Sequence, residues 1–306
     1  MQKFMEMETL GARITKAASL QSYYTVRFLV DRPLIQDAYQ AYAYFRWVDD
    51  WLDEPTRQRS DRLAFVGRQT ALVDACYKRK AINPTAVEED MLIALVQKDT
   101  EKNSGLQSYI RNMMAVMAFD AERRGRLISH DELNHYVRNL ATAVTEALHY
   151  FIGHRSASPH TAARYLAAGG AHIVHMLRDT LEDTELGYFN IPREYLEANR
   201  ISPLDTGSDP YRDWVKGRVK LARGYFRAGR DYLAQVQSLR CRLAGYAYMA
   251  RFEAVLDFIE RDAYVLRREY RESKSAMAGA HMGWSIFWSA FNERPSTTEP
   301  GALTAR

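Results

Sequence analysis

The sequence is poor in the residues that interrupt helices and in those that build disulfide frameworks. Its 306 residues include only 9 prolines, 16 glycines and 2 cysteines. Cys76 and Cys241 fit neither a disulfide framework nor a metal-ligand spacing. No stretch approaches the run of about 18 apolar residues that a membrane-spanning helix needs. These absences argue against a disulfide-stapled domain and against a chain that crosses the membrane.

Charge is modest and is not concentrated in one segment. Charged residues make up 26% of the chain, with a formal net charge of +4. Because no block of like charges occurs, we expect no nucleic-acid partner. The first eight residues lack the apolar core of a secretion signal, so a cytoplasmic location is expected. The aromatic segment 277–291 is expected to dock on the body of the protein, with peripheral membrane contact as the alternative.

The distribution of proline and glycine predicts an all-α protein. These residues fall between long helical stretches, and no run alternates as a strand does. Ser129 followed by Glu132 has the pattern of a capping box. We predict one domain over residues 1–292, loops at 185–192 and 199–208, and a disordered polar tail at 293–306. The predicted helices cover residues 8–30, 34–54, 57–79, 85–102, 105–124, 130–153, 158–184, 209–238 and 241–272.

Two acidic clusters are the most informative feature of the sequence. In the aromatic segment 42–54, Asp49 and Asp53 are four residues apart, and Asp50 lies between them. The second pair, Asp179 and Asp183, ends the apolar stretch 161–177. Like charges at this spacing share a helix face and weaken the helix, so each pair invites a cation such as Mg²⁺.

The arrangement of the two clusters suggests a diphosphate site. If their helices face each other across a cavity, Mg²⁺ ions could bridge a diphosphate between them. Arg46 and Arg178, next to the clusters, suit an anionic substrate. A single acidic pair is most often solvated surface, but two pairs in apolar helices favour binding.

These residues carry a family resemblance. Residues 42–54 resemble the first aspartate-rich motif of the squalene/phytoene synthase family, and residues 177–183, followed by Gly187 and Pro192, resemble the second. Ser22-Tyr23-Tyr24 is similar to the family's N-terminal element. The match extends over about residues 20–270, in the family's order and spacing. Further elements similar to the family are Glu132-Leu133 with Tyr136, and Ile259-Glu260 with Tyr264.

The resemblance implies a fold, a cofactor and a reaction. It implies an isoprenoid synthase-type helical bundle around a central apolar cavity. It also implies Mg²⁺-dependent ionisation of an allylic prenyl diphosphate and head-to-head condensation of two such chains into a squalene- or phytoene-type product. The metal ligands would be Asp49, Asp50, Asp53, Asp179 and Asp183. The diphosphate would be bound by Arg46, Arg178 and His172, and Tyr42 and His175 would join the catalytic residues.

The chain departs from the family pattern on the side of the second substrate. His172 and His175 stand where the family usually has glutamine and asparagine. Imidazole could ligate metal, donate to diphosphate or act as a base, and the pair predicts activity that depends on pH near a pKa of about 6.5; both could also be ordinary core or surface histidines. Tyr188 and Asn190 replace an arginine and a tyrosine. Threonines replace the two glycines expected at positions 142 and 145, and should narrow the space beside that helix.

These departures keep two further interpretations open. The protein could transfer one prenyl group to another acceptor or cyclise it, as a terpene synthase does. It could also be a non-enzymatic relative, although the retained aspartates argue against that. No dinucleotide-binding fingerprint is present, so a reductive step would need another NADPH site.

Overall fold

The structure is a computed structural model that describes residues 2–154 and 156–270. In this part of the chain the regular structure is entirely helical, with short 3₁₀ turns at Arg32–Leu34 and Ala162–Tyr165. The predicted docking of segment 277–291, its alternative of peripheral membrane contact, and the predicted disordered tail 293–306 all concern residues outside the described ones. The helices are α1 (Gln2–Ala18), α2 (Leu20–Leu29), α3 (Ile35–Asp53), α4 (Arg59–Tyr77), α5 (Val87–Lys98), α6 (Gly105–Arg123), α7 (His130–Phe151), α8 (Leu166–Glu185), α9 (Arg193–Asn199), α10 (Asp209–Leu233) and α11 (Leu239–Arg261).

The prediction of an all-α protein is confirmed, and so is the predicted capping box. The side chain of Ser129 accepts a hydrogen bond from the Glu132 amide, and the Glu132 carboxylate accepts one from the Ser129 amide at 2.7 Å. The predicted single helix over residues 8–30 is wrong. Ser19 takes an extended conformation (φ −154°, ψ 105°) and its side chain caps α2. Because an extended residue cannot continue a helix, the chain forms two helices there.

Two other helix boundaries differ from the sequence prediction by eight residues or more. The last predicted helix, 241–272, ends at Arg261, where Ala263 and Tyr264 have positive φ angles of 51° and 65°. Left-handed residues of this kind end a helix. The predicted helix 158–184 becomes α-helical only at Leu166, after a 3₁₀ turn. The sequence analysis also missed the short helix α9.

Helix α8 packs against other helices on several sides. It contacts α7, α10 and α11, while α3 contacts α1, α5 and α6. Contact with α10 is close, since a Cβ atom on Gly229 would lie 2.9 Å from the Ala167 Cα atom. No helix in the described part of the chain combines the length and apolar character needed to cross a membrane.

Candidate active site

A polar cavity of about 250 Å³ lies where α3, α6, α7 and α8 face each other. Both predicted aspartate pairs, together with both histidines, line it. The loop that follows α8 closes one side. The lining residues are Asp49, Leu52, Asp53, Asp120, Arg123, Tyr136, Leu140, His172, His175, Met176, Asp179, Asp183, Tyr188 and Asn190.

A second cavity, of about 280 Å³ and mostly apolar, is bounded by α2, α3, α7 and α11. Tyr42 and Ser22 lie on its wall. Arg251, which donates a hydrogen bond to Gln21 at 2.5 Å, brings a positive charge to it. The lining residues are Gln21, Ser22, Thr25, Val26, Val30, Ala38, Ala41, Tyr42, Tyr109, Val144, Ala147, Leu148, Phe151, Ile152, Tyr248 and Arg251.

The two cavities follow one another along α7. Tyr136 and Leu140 line the polar cavity, whereas Val144 and Leu148 line the apolar one. Residues four apart share a helix face, so one face of α7 runs past both cavities. The site therefore has an acidic end, which is the polar cavity, and an apolar end, which is the second cavity, one after the other along α7.

The carboxylates at the acidic end lie close enough to repel one another. Burial, followed by the charge of Asp53, raises the pKa of Asp49 to about 7. Burial and the charge of Asp179 raise the pKa of Asp183 to about 7. Burial and the charge of Asp120 also raise the pKa of Asp53. These three carboxylates have too little positive charge around them, which is the condition that a bound cation relieves.

Asp179 has a different environment. The Arg178 guanidinium donates to both of its oxygens, at 2.6 and 2.7 Å, and His175 Nε2 lies 2.8 Å from Oδ2. Burial acts to raise the pKa of Asp179, but the hydrogen bonds from Arg178 and His175 outweigh it and hold that pKa well below its usual range. Asp179 is thus the more readily ionised member of the second aspartate pair.

Arg123 and Asp120, on α6, were missed by the sequence analysis. Arg123 is only 5% exposed and donates to Asp120 at 2.6 Å and to Oδ1 of Asn190 at 2.8 Å. Its guanidinium lies 4.6 Å from the ring centre of Tyr136 and 4.9 Å from that of Tyr188. The available signal was an Asp–Arg pair three residues apart, directly after the apolar run 113–119.

Tyr188 and Asn190, two of the departures from the family pattern, point into the polar cavity. The Tyr188 hydroxyl donates to Asp53 at 3.4 Å, and the Asn190 amide donates to Asp183 at 2.7 Å. The loop after α8 therefore contacts both aspartate pairs. Thr142 and Thr145 line neither cavity.

Several predicted site residues lie at the edge of the polar cavity or beyond it. Arg46 forms ion pairs with Asp49, at 3.4 Å, and with Asp50. Asp50 is exposed and does not line the cavity. Arg46 and Arg178 do not line the cavity either, but each contacts an aspartate that does.

The donors fit Mg²⁺ held jointly by protein and substrate. Among the described residues, no three His, Cys, Asp or Glu side chains are gathered closely enough to hold a metal ion alone. Mg²⁺ usually binds through one or two carboxylates, waters and substrate phosphates. Oxygen donors with raised pKa values on two walls of one cavity, such as Asp49 and Asp183, match that mode of binding.

Two phytoene synthases are similar to this chain in sequence. Phytoene synthase 3, chloroplastic, from Zea mays is 25% identical over 249 residues, which cover 78% of this chain and 56% of that protein. Phytoene synthase, chloroplastic, from Daucus carota is 32% identical over 104 residues, 32% of this chain and 26% of that protein. The chain thus spans about half, or less, of the length of these relatives.

Solved structures share the fold at low sequence identity. A dehydrosqualene synthase in complex with ligand superposes with a TM-score of 0.72 at 14% identity, covering 94% of this chain and 97% of that one. The squalene synthase HpnC from Alicyclobacillus acidocaldarius gives a TM-score of 0.66 at 18% identity, covering 86% and 96%. The sequence pattern of squalene/phytoene synthases matches residues 15–276. The chain therefore belongs to the squalene/phytoene synthase family, a family of prenyl-transferring enzymes.

Proposed function

We propose that the protein ionises an allylic prenyl diphosphate with the help of Mg²⁺ and condenses two such chains head to head into a squalene- or phytoene-type product. One observation carries the proposal. Carboxylates from three helices line a polar cavity, and an apolar cavity follows it along the same face of α7. A diphosphate with a long hydrocarbon chain has the same two-part character.

The acidic end would bind the diphosphate. Asp49 and Asp53 on one wall, and Asp183 on the other, would hold the metal ions. Mg²⁺ held there would supply positive charge against the negative charge that develops on the diphosphate as the allylic C–O bond breaks. Arg123 is buried in the same cavity and Arg178 stands beside Asp179, so both guanidinium groups can attract the leaving diphosphate.

The apolar end would hold the hydrocarbon and keep water from the cation. Aromatic faces stabilise a nearby positive charge, and Tyr42, Tyr109 and Phe151 line this cavity. A closed apolar pocket also protects a reactive intermediate from hydrolysis. The substrate class is therefore a small-molecule prenyl diphosphate.

The size of the apolar cavity favours a second candidate function. Ligand pockets commonly measure about 300–1,000 Å³, and this cavity, at about 280 Å³, lies just below that range. Room for one chain suits transfer of a single prenyl group to another acceptor, or cyclisation. Product analysis separates this candidate from condensation of two chains.

The test is incubation with farnesyl or geranylgeranyl diphosphate, with Mg²⁺ or with excess chelator. We expect Mg²⁺-dependent release of diphosphate and a hydrocarbon that contains two chains. A double variant, Asp49→Asn with Asp183→Asn, should lose release of diphosphate. Asp50→Asn, outside the cavity lining, is the matched control. Full activity in chelator contradicts the metal requirement, and a product built from one chain supports the second candidate.

A further inference from the structure

Helix α2 carries an exposed apolar stripe. Leu20, Tyr24 and Phe28 follow one another at intervals of four residues and are 59%, 50% and 69% exposed. Residues at this spacing share one face of a helix. The rings of Tyr24 and Phe28 stack with their centres 5.9 Å apart, so these two side chains form one surface. Large apolar residues exposed in a row, rather than singly, mark an interaction site.

Another face of α2 forms a wall of the apolar cavity. Ser22, Thr25 and Val26 line that cavity, and none of the residues of α2 is buried. A helix with its side chains is about 10–12 Å across, so a single helix separates the apolar cavity from the outside of the protein. A surface that binds the stripe therefore lies beside the apolar end of the site.

Positive charge is concentrated around α2. Residues 11–35 contain four cationic side chains and one carboxylate, a net charge of +3 in a chain whose formal net charge is +4. The carboxylate, Asp31, is paired with Arg240. The Lys16 ammonium lies 5.5 Å from the ring centre of Tyr23 on α2. All four cationic side chains are exposed, and they belong to Arg13, Lys16, Arg27 and Arg32.

This combination matches the surface of an anionic lipid bilayer. Such a surface has negative charge at its outer layer and hydrocarbon beneath, and it binds helices that carry an apolar face bordered by Lys and Arg. Tyrosine, with an apolar ring and a polar hydroxyl, is well placed at that boundary.

Two other occupants complement the charge less well. In a symmetric dimer the same surface of both copies meets itself, so a second copy would bring the cations of residues 11–35 against one another. Segment 277–291 of the same chain is apolar but contains no carboxylate, so it offers these cations no counter-charge.

We propose that α2 docks on the surface of an anionic lipid bilayer, with Leu20, Tyr24 and Phe28 inserted among the lipid chains and the neighbouring cations against the headgroup phosphates. Docking then places the apolar cavity one helix away from lipid. A hydrocarbon built from prenyl chains has no polar group, and each methylene disfavours its transfer into water by about fourfold. Its release into the bilayer rests on the proposed function, whereas the docking itself does not.

Flotation of the full chain with lipid vesicles tests the docking. We expect binding to vesicles of phosphatidylglycerol and phosphatidylcholine, and weaker binding to phosphatidylcholine alone. Binding should fall as salt rises from about 0.1 M to about 1 M, because the screening length shortens from about 10 Å to about 3 Å. A double variant, Leu20→Gln with Phe28→Gln, should lower the partition coefficient by about 20-fold or more. Both positions are exposed, so the fold is retained.

Leu204→Gln is the matched control, because Leu204 is 67% exposed and lies in the loop after α9, far from α2. Glu194 on α9 accepts a hydrogen bond of 3.0 Å from the His130 amide at the start of α7. At the other end of α7, the Phe151 carbonyl accepts one of 2.9 Å from the Asp31 amide, just after α2. The control should bind vesicles as wild type does.

A second variant tests the charge separately. Arg13→Gln with Arg27→Gln should weaken binding to anionic vesicles by about fivefold for each charge removed. Binding to phosphatidylcholine alone should stay unchanged. If this variant binds both kinds of vesicle as wild type does, the assignment of anionic lipid is wrong.

Two further results would overturn the docking. One is wild type that binds no vesicles, or vesicle binding that survives Leu20→Gln with Phe28→Gln, since the contact would then lie elsewhere. The other is a lipid-free dimer that the same variant abolishes, which would identify a second copy as the occupant. Leu20 and Phe28 line neither cavity, so this variant should release diphosphate at the wild-type rate in lipid-free buffer. If wild type releases none, the proposed function fails, and vesicle binding still decides the docking.

Discussion

Asn190 donates a hydrogen bond of 2.7 Å to Asp183 from the loop that follows helix α8. The same amide accepts from Arg123 at 2.8 Å, so it joins a buried cation to a carboxylate of the second aspartate pair. This bond acts to lower the pKa of Asp183, although burial and Asp179 raise that pKa to about 7. Asn190 therefore helps Asp183 to stay ionised.

Asn190→Ala should weaken the acidic end of the site. A hydrogen bond to a charged group contributes about 1.5–3 kcal/mol, which corresponds to roughly 10–100-fold in rate. We expect kcat/KM for diphosphate release to fall within that range and the Mg²⁺ concentration for half-maximal activity to rise. Asn199→Ala, on α9 and exposed, is the control. Equal kinetics in both variants would contradict a role for Asn190.

Asp49→Asn should stabilise the protein in a way that depends on pH. The pKa of Asp49 is raised to about 7 in the fold. The native state therefore holds this proton more firmly than the unfolded chain, and stability falls as pH rises from about 4 to 7. We expect a gain on the order of 1 kcal/mol at pH 8, discounted because the side chain is 41% exposed, and none near pH 4.

Thermal unfolding at both pH values measures the effect, with an expected rise in Tm of about 2–4 °C at pH 8. Asp50→Asn is the matched control, because that carboxylate is exposed and paired with Arg46. Added Mg²⁺ should stabilise wild type more than Asp49→Asn, since a ligand stabilises the state that binds it. A gain that is the same at pH 4 and pH 8 would argue against charge repulsion.

His172 should make stability sensitive to acid. Its pKa in the fold, about 3, is lower than the usual 6.5. Below pH 6.5 the unfolded chain binds a proton that the native state does not bind, so the free energy of unfolding decreases as the pH decreases. At pH 5 the expected loss is about 2 kcal/mol. Burial disfavours the charged ring of His172, so the predicted dependence of activity on pH near 6.5 is not expected to come from this residue.

Denaturant unfolding at pH 7.5 and pH 5.0 checks this. The stability advantage of wild type over His172→Gln should shrink by about 2 kcal/mol at the lower pH. His135→Gln should show no such change, because its ring is exposed. A constant difference between wild type and His172→Gln would mean that the buried ring accepts a proton readily.

The packing of α10 against α8 gives a prediction about the fold that positions the site. A Cβ atom on Gly229 would lie 2.9 Å from Ala167 Cα, whereas one on Gly224 of the same helix meets nothing within 4 Å. Gly229→Ala should therefore destabilise by about 1–3 kcal/mol. Gly224→Ala should stabilise by about 0.5–1 kcal/mol, because glycine is unfavourable inside a helix. Urea unfolding of both variants measures the contrast, and equal effects would contradict the close contact.

The sequence by itself determined the helical fold and both aspartate pairs. Helix signals are local: scarce proline, a capping box at Ser129, and carboxylates four residues apart all act within a turn or two. For the same reason the break at Ser19 was missed, since one serine in a helical stretch has no strong local mark. The family resemblance then joined two distant motifs that periodicity alone could not bring together.

The tertiary structure decided which residues share the site. Asp49 and Asp50 are neighbours in sequence, yet only Asp49 lines the polar cavity, because successive helical residues point in different directions. Arg123 and Asn190 meet across 67 residues, and no local pattern predicts such a contact. Burial, followed by the neighbouring His175, lowers the pKa of His172, since the free energy of a charge depends on the solvent and the charges around it. Environment, rather than residue type, separates His172 from His175.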